Sequence, residues 1–348
     1  MKKSLLAIIA GFLLVFCTAP EEPALQPPVN DLDPPINENP PNPPTITNFV
    51  FTKANEFPAS GRKNAFSFAI GDKFYVGTGE GTDESGYTLL DDFWEYDTKS
   101  DIWTEKAKFP LGKFRKGAAI AYNGKGYVLF GETLNCIMDQ PCDFIFYRKI
   151  HAYDPENDSW EEVAELEAIP STYGGHITLV NNKAMFVDTF HAYEISLDNF
   201  LYEKKPVSPI PIDLAAAFKI GNRIYYFGGL EGGVGSVKTM SYDTQSGEWA
   251  QLSDFPGVKR YGAVSFAKDG FGYVLGGKES DIWGQNQQFK EIWQFDPKDS
   301  NWKKVSDYPG EGISEKILQM VNGQVFIGFG SKSNAIRFEK DFWKLELK

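Results

Sequence analysis

The 348-residue chain is predicted to fold as an all-β, six-bladed β-propeller, on three observations. A tryptophan recurs behind an acidic turn, at Trp103, Trp160, Trp249 and Trp302, and each follows an aromatic seven positions earlier: Tyr96, Tyr153, Tyr242 and Phe295. The period of roughly fifty residues suits one four-stranded blade. The two ends of the chain are also complementary. Asp341-Phe342-Trp343-Lys344-Leu345 matches Asp92-Phe93-Trp94-Glu95-Tyr96 and then stops one strand short of a blade, while Phe49–Lys53 followed by Phe57-Pro58 matches the missing strand. A ring closed by this N-terminal strand leaves no exposed sheet edge at the seam.

The first sixteen residues are two lysines followed by LLAIIAGFLLVF, and then comes Cys17. This reads as an export signal ending at a lipid-modified cysteine. The apolar run is too short to span a bilayer as a helix. A small residue ordinarily precedes such a cysteine and here it is Phe16, so cleavage after Ala19 is the competing reading, with Pro20 next in line. Residues 17–47 form the second region. Rich in Pro and Asn, they hold too little apolar surface to fold and are expected to act as an extended tether. The expected location is the outer membrane, on its periplasmic or cell-surface side, with bilayer contact through the N-terminal anchor only. Glu21-Glu22 resembles an acidic signal for the outer face.

Residues 48–348 are the globular part, at about 300 residues more than one core ordinarily serves. A propeller answers this, because each blade packs only against its two neighbours. The formal charge is −12, so nucleic acid is not an expected partner. A monomer is expected.

Within one copy, Phe93, Glu95 and Asp97 alternate with Trp94 and Tyr96 as in a strand. Asp97-Thr98-Lys99-Ser100-Asp101 then turns the chain, as do Asp154-Pro155, Asp243-Thr244 and Asp296-Pro297, because Asp side chains cap their own backbone. These aspartates read as turn formers; a calcium loop would need alternating oxygen ligands that they lack. Each copy opens with an apolar strand (Ala65–Ile70, Ala118–Tyr122, Ala215–Ile220, Ala263–Ala267) and has a second strand ending in glycine. The endings are Gly77-Thr78-Gly79, Gly131, Gly228-Gly229, Gly276-Gly277 and Gly328-Phe329-Gly330. Glycine permits positive φ and close backbone approach, and with no helix following, these are not phosphate cradles. The third copy is irregular. It has Asp188 near the glycine position, and its anchors are taken as Tyr193 and Phe200.

The double glycines, the seven-residue aromatic-to-Trp spacing and the openings Arg62–Ala65, Arg115–Ala118 and Arg260–Ala263 resemble the kelch-repeat propellers. GTG…DDFWEYDTKSDIWTEKAKFP is similar to kelch proteins, often labelled galactose-oxidase-like, found on Bacteroidota envelopes. The resemblance covers about residues 48–348 and implies the fold; propellers host many activities. Galactose oxidase uses copper held by two histidines and tyrosines, one of them cross-linked to cysteine. This chain has His151, His176 and His191 only, so the resemblance carries over neither that activity nor a copper site, and no cofactor or metal is expected.

The long loops Glu80–Leu90, Glu132–Arg148, Leu230–Val237 and Lys278–Phe289 are expected to share one face with Arg62, Arg115 and Arg260. These arginines, with Tyr87 and Trp283, would suit a carboxylated or hydroxyl-rich sugar through bidentate pairing and stacking. Pairing of each arginine with loop carbonyls of its own or the next blade competes with that reading. Cys136 and Cys142, close together in an exported chain, read as a disulfide stapling their loop. Two functions remain open. One is a lipid-anchored binding or scaffold propeller recognising a glycan or envelope protein through the long-loop face. The other follows from the six-bladed kelch epimerases acting on sialic acid, for which Glu80, Glu132 or Glu315 could serve as acid or base beside the arginines. No pair is singled out by spacing, and a rim carboxylate in an acidic protein is ordinarily solvated.

Overall fold

The computed structural model describes residues 48–135, 142–167, 169, 175–280, 286–312, 314–331 and 338–348. They form six four-stranded antiparallel sheets. Blade I holds Phe66–Ile70, Lys73–Gly77, Phe93–Asp97 and Ile102–Glu105; blade II, Ala118–Tyr122, Lys125–Leu129, Lys149–Asp154 and Ser159–Glu165. Blade III holds His176–Val180, Lys183–Val187, Ala192–Ser196 and Tyr202–Lys204; blade IV, Ala216–Ile220, Arg223–Phe227, Thr239–Asp243 and Trp249–Gln251. Blade V holds Val264–Lys268, Phe271–Leu275, Glu291–Asp296 and Asn301–Asp307; blade VI, Ile317–Val321, Gln324–Gly328 and Phe342–Leu347.

The outer strand of blade VI is Phe49–Lys53, paired antiparallel with Phe342–Leu347 from Phe49 opposite Leu347 to Lys53 opposite Trp343. The expected closure is therefore present. Phe51 meets the ring of Tyr308 edge-on at 5.3 Å, which ties the added strand to the neighbouring blade.

Both faces of each sheet are covered, which is why burial does not simply alternate along a strand. Phe93 packs toward blade II, with Phe68, Phe114 and Tyr153, whereas Tyr96 packs toward blade VI, with Phe57, Phe326 and Phe342. The anchor tryptophans link consecutive blades. Trp103, Trp160 and Trp249 donate from Nε1 to the carbonyls of Asn55, Ala107 and Pro206, each in the segment leaving the preceding blade. Asp97 Oδ1 accepts from the amides of Lys99 and Ser100, and Asp243 Oδ1 from Gln245 and Ser246. These aspartates cap their own turns.

In blade III the register differs from expectation. Phe200 has φ of +58° and donates its amide to the carbonyl of Ser196, as Asp101 (φ +58°) does to Asp97. The residues facing each other as Tyr96 faces Trp103 are Ile195 and Tyr202, two positions beyond Tyr193 and Phe200. Both pairs are seven apart, so spacing could not choose between them; the left-handed turn residue does.

Five blades end their second strand on two consecutive positive-φ residues: Thr78-Gly79, Phe130-Gly131, Gly228-Gly229, Gly276-Gly277 and Phe329-Gly330. The second has φ between 89° and 100° and is always glycine. A Cβ on Gly79 would stand 2.6 Å from the carbonyl oxygen of Lys63. That closeness serves a bond, because the amides of Gly79, Gly229 and Gly330 donate to Phe114, Arg260 and Arg62 of the adjoining blade at 2.8, 3.0 and 2.8 Å.

Candidate functional site

The segments entering the inner strands of blades I, II, IV, V and VI each bend through a left-handed residue: Asn64, Lys116, Leu214, Gly262 and Glu315, with φ from 52° to 64°. Their backbones join around the axis, the amide of Lys116 donating to Asn64, Gly262 to Leu214 and Glu315 to Gly262. This collar surrounds a cavity of about 500 Å³ at one end of the central channel. The four long loops connect second to third strands, and each carries a short hairpin: Glu80–Asp83 with Gly86–Leu89, Glu132–Asn135 with Asp143–Phe146, Leu230–Glu231 with Val234–Gly235, and Lys278–Ser280 with Asn286–Gln288.

A belt of alternating charge runs around the mouth. Lys116 Nζ lies 3.4 Å from Glu132 Oε1. Arg115 donates from Nε to Glu132 Oε1 at 2.8 Å and from Nη1 to Glu80 Oε1 at 2.9 Å. Glu80 also accepts from Asn64 Nδ2 at 2.6 Å and faces Lys63 Nζ at 3.6 Å. Lys63 continues to Glu315 at 3.7 Å, and Lys278 donates to the same Glu315 oxygen at 3.1 Å. The belt thus links blades II, I, VI and V.

Its charge states follow from these contacts. Burial works against the Glu80 carboxylate, but the Asn64 bond and the cations Lys63 and Arg115 outweigh it and hold the carboxyl below its ordinary range. Burial likewise disfavours the Arg115 cation, and Glu80 and Glu132 more than offset it. Burial and the Glu80 charge push Tyr87 up to about 12, so its hydroxyl stays neutral. Burial pulls His176, in the channel wall of blade III, down to about 4, and its imidazole is uncharged at neutral pH.

Of the residues expected to bind ligand, Arg115, Glu80, Glu132, Glu315 and Tyr87 come together here. Tyr87 is 44 % exposed, and its ring lies 6.4 Å from Phe338. Glu80 and Glu132 are buried, which corrects the expectation of solvated rim carboxylates. Trp283 and Cys136 lie outside the described residues.

Arg62 and Arg260 are corrections. Both are fully buried and committed to packing contacts. Arg62 donates to the carbonyls of Ser60 and Thr78 and doubly to Asp92; Arg260 donates to the carbonyls of Val258 and Gly276 and to Glu291. Arg115 differs because the three openings are not in one register. The equivalent of Arg62 and Arg260, the residue whose carbonyl receives the preceding blade's second glycine, is Phe114. Arg115 instead pairs with Glu132 as Lys63 pairs with Glu80 and Tyr261 with Lys278. One step along an extended segment turns a side chain to the other face, so the arginine of this blade reaches the cavity.

The spacing of aromatic and glycine residues gave no sign of Lys63, Asn64, Lys116, Asp213, Lys278 and Lys316, nor of Phe144. The Phe144 ring, 51 % exposed, lies 5.4 Å from the Arg115 guanidinium. The left-handed bends could have found most of the others, since Asn64 and Lys116 are bend residues, Lys63 and Asp213 precede a bend and Lys316 follows one; Lys278 carries no such signal. Among the described residues no group of three or more His, Cys, Asp or Glu is arranged to hold a metal ion.

No protein-family model matches this chain. It is 29 % identical over 133 residues to N-acetylneuraminate epimerase of Shigella flexneri, covering 37 % of this chain and 34 % of that protein. It is 30 % identical over 133 residues, with the same coverage, to N-acetylneuraminate epimerase 2 of Escherichia coli. The chain therefore spans about a third of the length of these curated relatives. The solved structure of YjhT superposes with a TM-score of 0.70 at 14 % identity, over 84 % of this chain and 99 % of that one, which supports the propeller fold.

Proposed function

We propose that the propeller binds a carboxylated, hydroxyl-rich sugar at the channel mouth. The observation that carries this reading is the balance of the belt. In a chain of net charge −12, the belt sets Lys63, Arg115, Lys116 and Lys278 against Glu80, Glu132 and Glu315, four cations to three carboxylates. A planar guanidinium suits a carboxylate. Tyr87 and Phe144 offer exposed rings for the apolar face of a pyranose. The test is calorimetric titration with N-acetylneuraminate and, in parallel, with the neutral N-acetylmannosamine. Only the acid should bind, and Arg115→Gln should weaken it at least ten-fold; equal binding of both sugars would overturn the reading.

A second reading is favoured by the names of the relatives and by the burial of Glu80 and Glu132 beside Arg115. A carboxyl held next to an anion anchor is placed for proton transfer at the anomeric hydroxyl and ring oxygen, where the ring C–O bond breaks as the hydroxyl loses its proton and reforms on the other face. Proton NMR of α- and β-N-acetylneuraminate decides it, since an epimerase would speed their interconversion and a binding protein would leave it at the solvent rate.

For the rest of the chain we propose a lipid anchor at Cys17, an extended tether to residue 47 and placement on the outer membrane of a cell envelope, as in Bacteroidota-type lipoproteins. A Cys136–Cys142 disulfide would close the longest loop of the ligand face. A pull-down from envelope extract would reveal a protein ligand if the sugar assays are silent.

A further inference from the structure

Three neighbouring blades carry an aromatic ring above a carboxylate of the belt. In the blade I hairpin Tyr87 lies opposite Thr82, and Leu89 opposite Glu80. Residues that face one another across a ladder, or stand two apart on one strand, share a face, so Tyr87 rises on the side of Glu80. The blade II hairpin repeats this, with Phe146 opposite Glu132 and Phe144 opposite Leu134. In blade VI Phe338 is bridged to Ser331, whose hydroxyl donates to Glu315 at 3.2 Å. Together the rings form a ledge along the mouth. Phe338 lies 6.4 Å from Tyr87, and the Tyr87 hydroxyl 3.5 Å from Arg115 Nη1. The Arg115 guanidinium is 5.4 Å from Phe144, which stacks on Phe146 at 6.3 Å. Tyr87 and Phe144 are half-exposed, and Phe146 and Phe338 are partly so.

A ledge spanning three blades is longer than one sugar needs. A monosaccharide with its carboxylate on Arg115 covers a ring beside the guanidinium and leaves the outlying Phe338 and Phe146 bare. Rings that stand singly above carboxylates also suit a sugar chain better than a protein. Every pyranose offers a C–H face to a ring and hydroxyls to an acceptor, whereas a protein contact is built on a contiguous apolar centre. We propose that the ledge extends the mouth into a site for an acidic oligosaccharide, with the acidic unit on Arg115 and the following units laid along the rings. The proposal deepens the reading of the mouth as a sugar-acid site and rests on it.

The experiment is calorimetric titration of the full chain with sialyllactose, with the methyl α-glycoside of N-acetylneuraminate and with lactose. The methyl glycoside fixes the anomer, so the two acids differ only in the lactose unit. Sialyllactose should bind at least about ten-fold more tightly than the methyl glycoside, and lactose alone should give no measurable heat. Phe144→Ala and Phe338→Ala, on opposite sides of Arg115, read the direction of the chain, and at least one should bring the ratio of the two affinities below about three-fold. Equal affinities in the intact chain, a ratio that survives both substitutions, or lactose binding as tightly as sialyllactose would overturn the proposal. Methyl glycoside binding without a gain for sialyllactose would leave the mouth reading standing without the ledge, and failure of both acids to bind would remove both. Retention of an envelope protein that is lost on Phe144→Ala, with neither acid bound, would mark the ledge as a protein contact instead. The wild-type ratio is decisive even if a variant fails to fold.

Discussion

Arg62 holds Asp92 through two parallel bonds, Nη1 to Oδ1 at 2.9 Å and Nη2 to Oδ2 at 2.7 Å. The same carboxylate accepts from Trp94 Nε1 at 2.8 Å. The pair fastens the segment that enters blade I to the start of that blade's third strand. Burial opposes the Asp92 charge, but the Arg62 bonds outweigh it and its carboxyl sits below the ordinary 3.8.

Removing one partner of a buried ion pair leaves the other uncompensated, so Asp92→Asn should destabilise by about 3 kcal/mol, measured by urea unfolding at pH 7. The sign of the pH dependence follows from the depressed pKa. Below about pH 4 the unfolded chain binds the proton first, so this contribution is complete above that point and is lost as pH falls through the folded value. The wild type should lose stability below pH 4 more steeply than Asp92→Asn; identical acid profiles would show that Asp92 does not contribute in this way.

Ring closure predicts that deleting residues 48–53 lowers the melting temperature sharply, because it exposes the edge of Phe342–Leu347 and empties the site of Phe51 against Tyr308. Phe51→Ala alone should cost no more than the lower end of the ~3–5 kcal/mol of a buried phenylalanine, since Phe51 is half-buried. Deleting residues 21–44 should leave the melting temperature unchanged. If all three deleted or substituted proteins melt with the intact chain, the N-terminal strand does not hold the ring shut.

Gly79 and Gly71 make a matched pair. At φ +100° a Cβ on Gly79 meets the Lys63 carbonyl oxygen at 2.6 Å, whereas at φ +55° a Cβ on Gly71 meets nothing within 4 Å. Gly79→Ala should therefore cost more than about 2 kcal/mol, and Gly71→Asn less than about 1. Thermal melts of the two variants side by side check the ordering, which the double-glycine argument requires.

The proposed loop disulfide has a direct readout. Mass spectrometry of a non-reduced digest of exported protein should show the peptides containing Cys136 and Cys142 joined, and a free thiol at both would remove the staple from the ligand face.

Much of the fold was legible in the chain. Trp103, Trp160, Trp249 and Trp302 marked four blades because one side chain both fills an interblade core and, in three of them, bonds the preceding blade. Phe49–Lys53 could be matched to its distant partner because both ends carry the pattern of one interrupted repeat. These are local signals, written in residue type and spacing. Spacing alone could not settle register. The seven-residue interval fits Tyr193 with Phe200 as well as Ile195 with Tyr202, and only the left-handed turn at Phe200 selects the second. The recurring arginines looked equivalent, yet Arg62 and Arg260 are buried clamps while Arg115, one position out of register, enters the cavity and bridges Glu80 and Glu132. The sequence by itself determined a closed ring of six blades. Which charged groups meet at its mouth was decided by tertiary structure, because a one-residue step in extended chain reverses a side chain's direction and the belt joins residues from four blades that no local pattern connects.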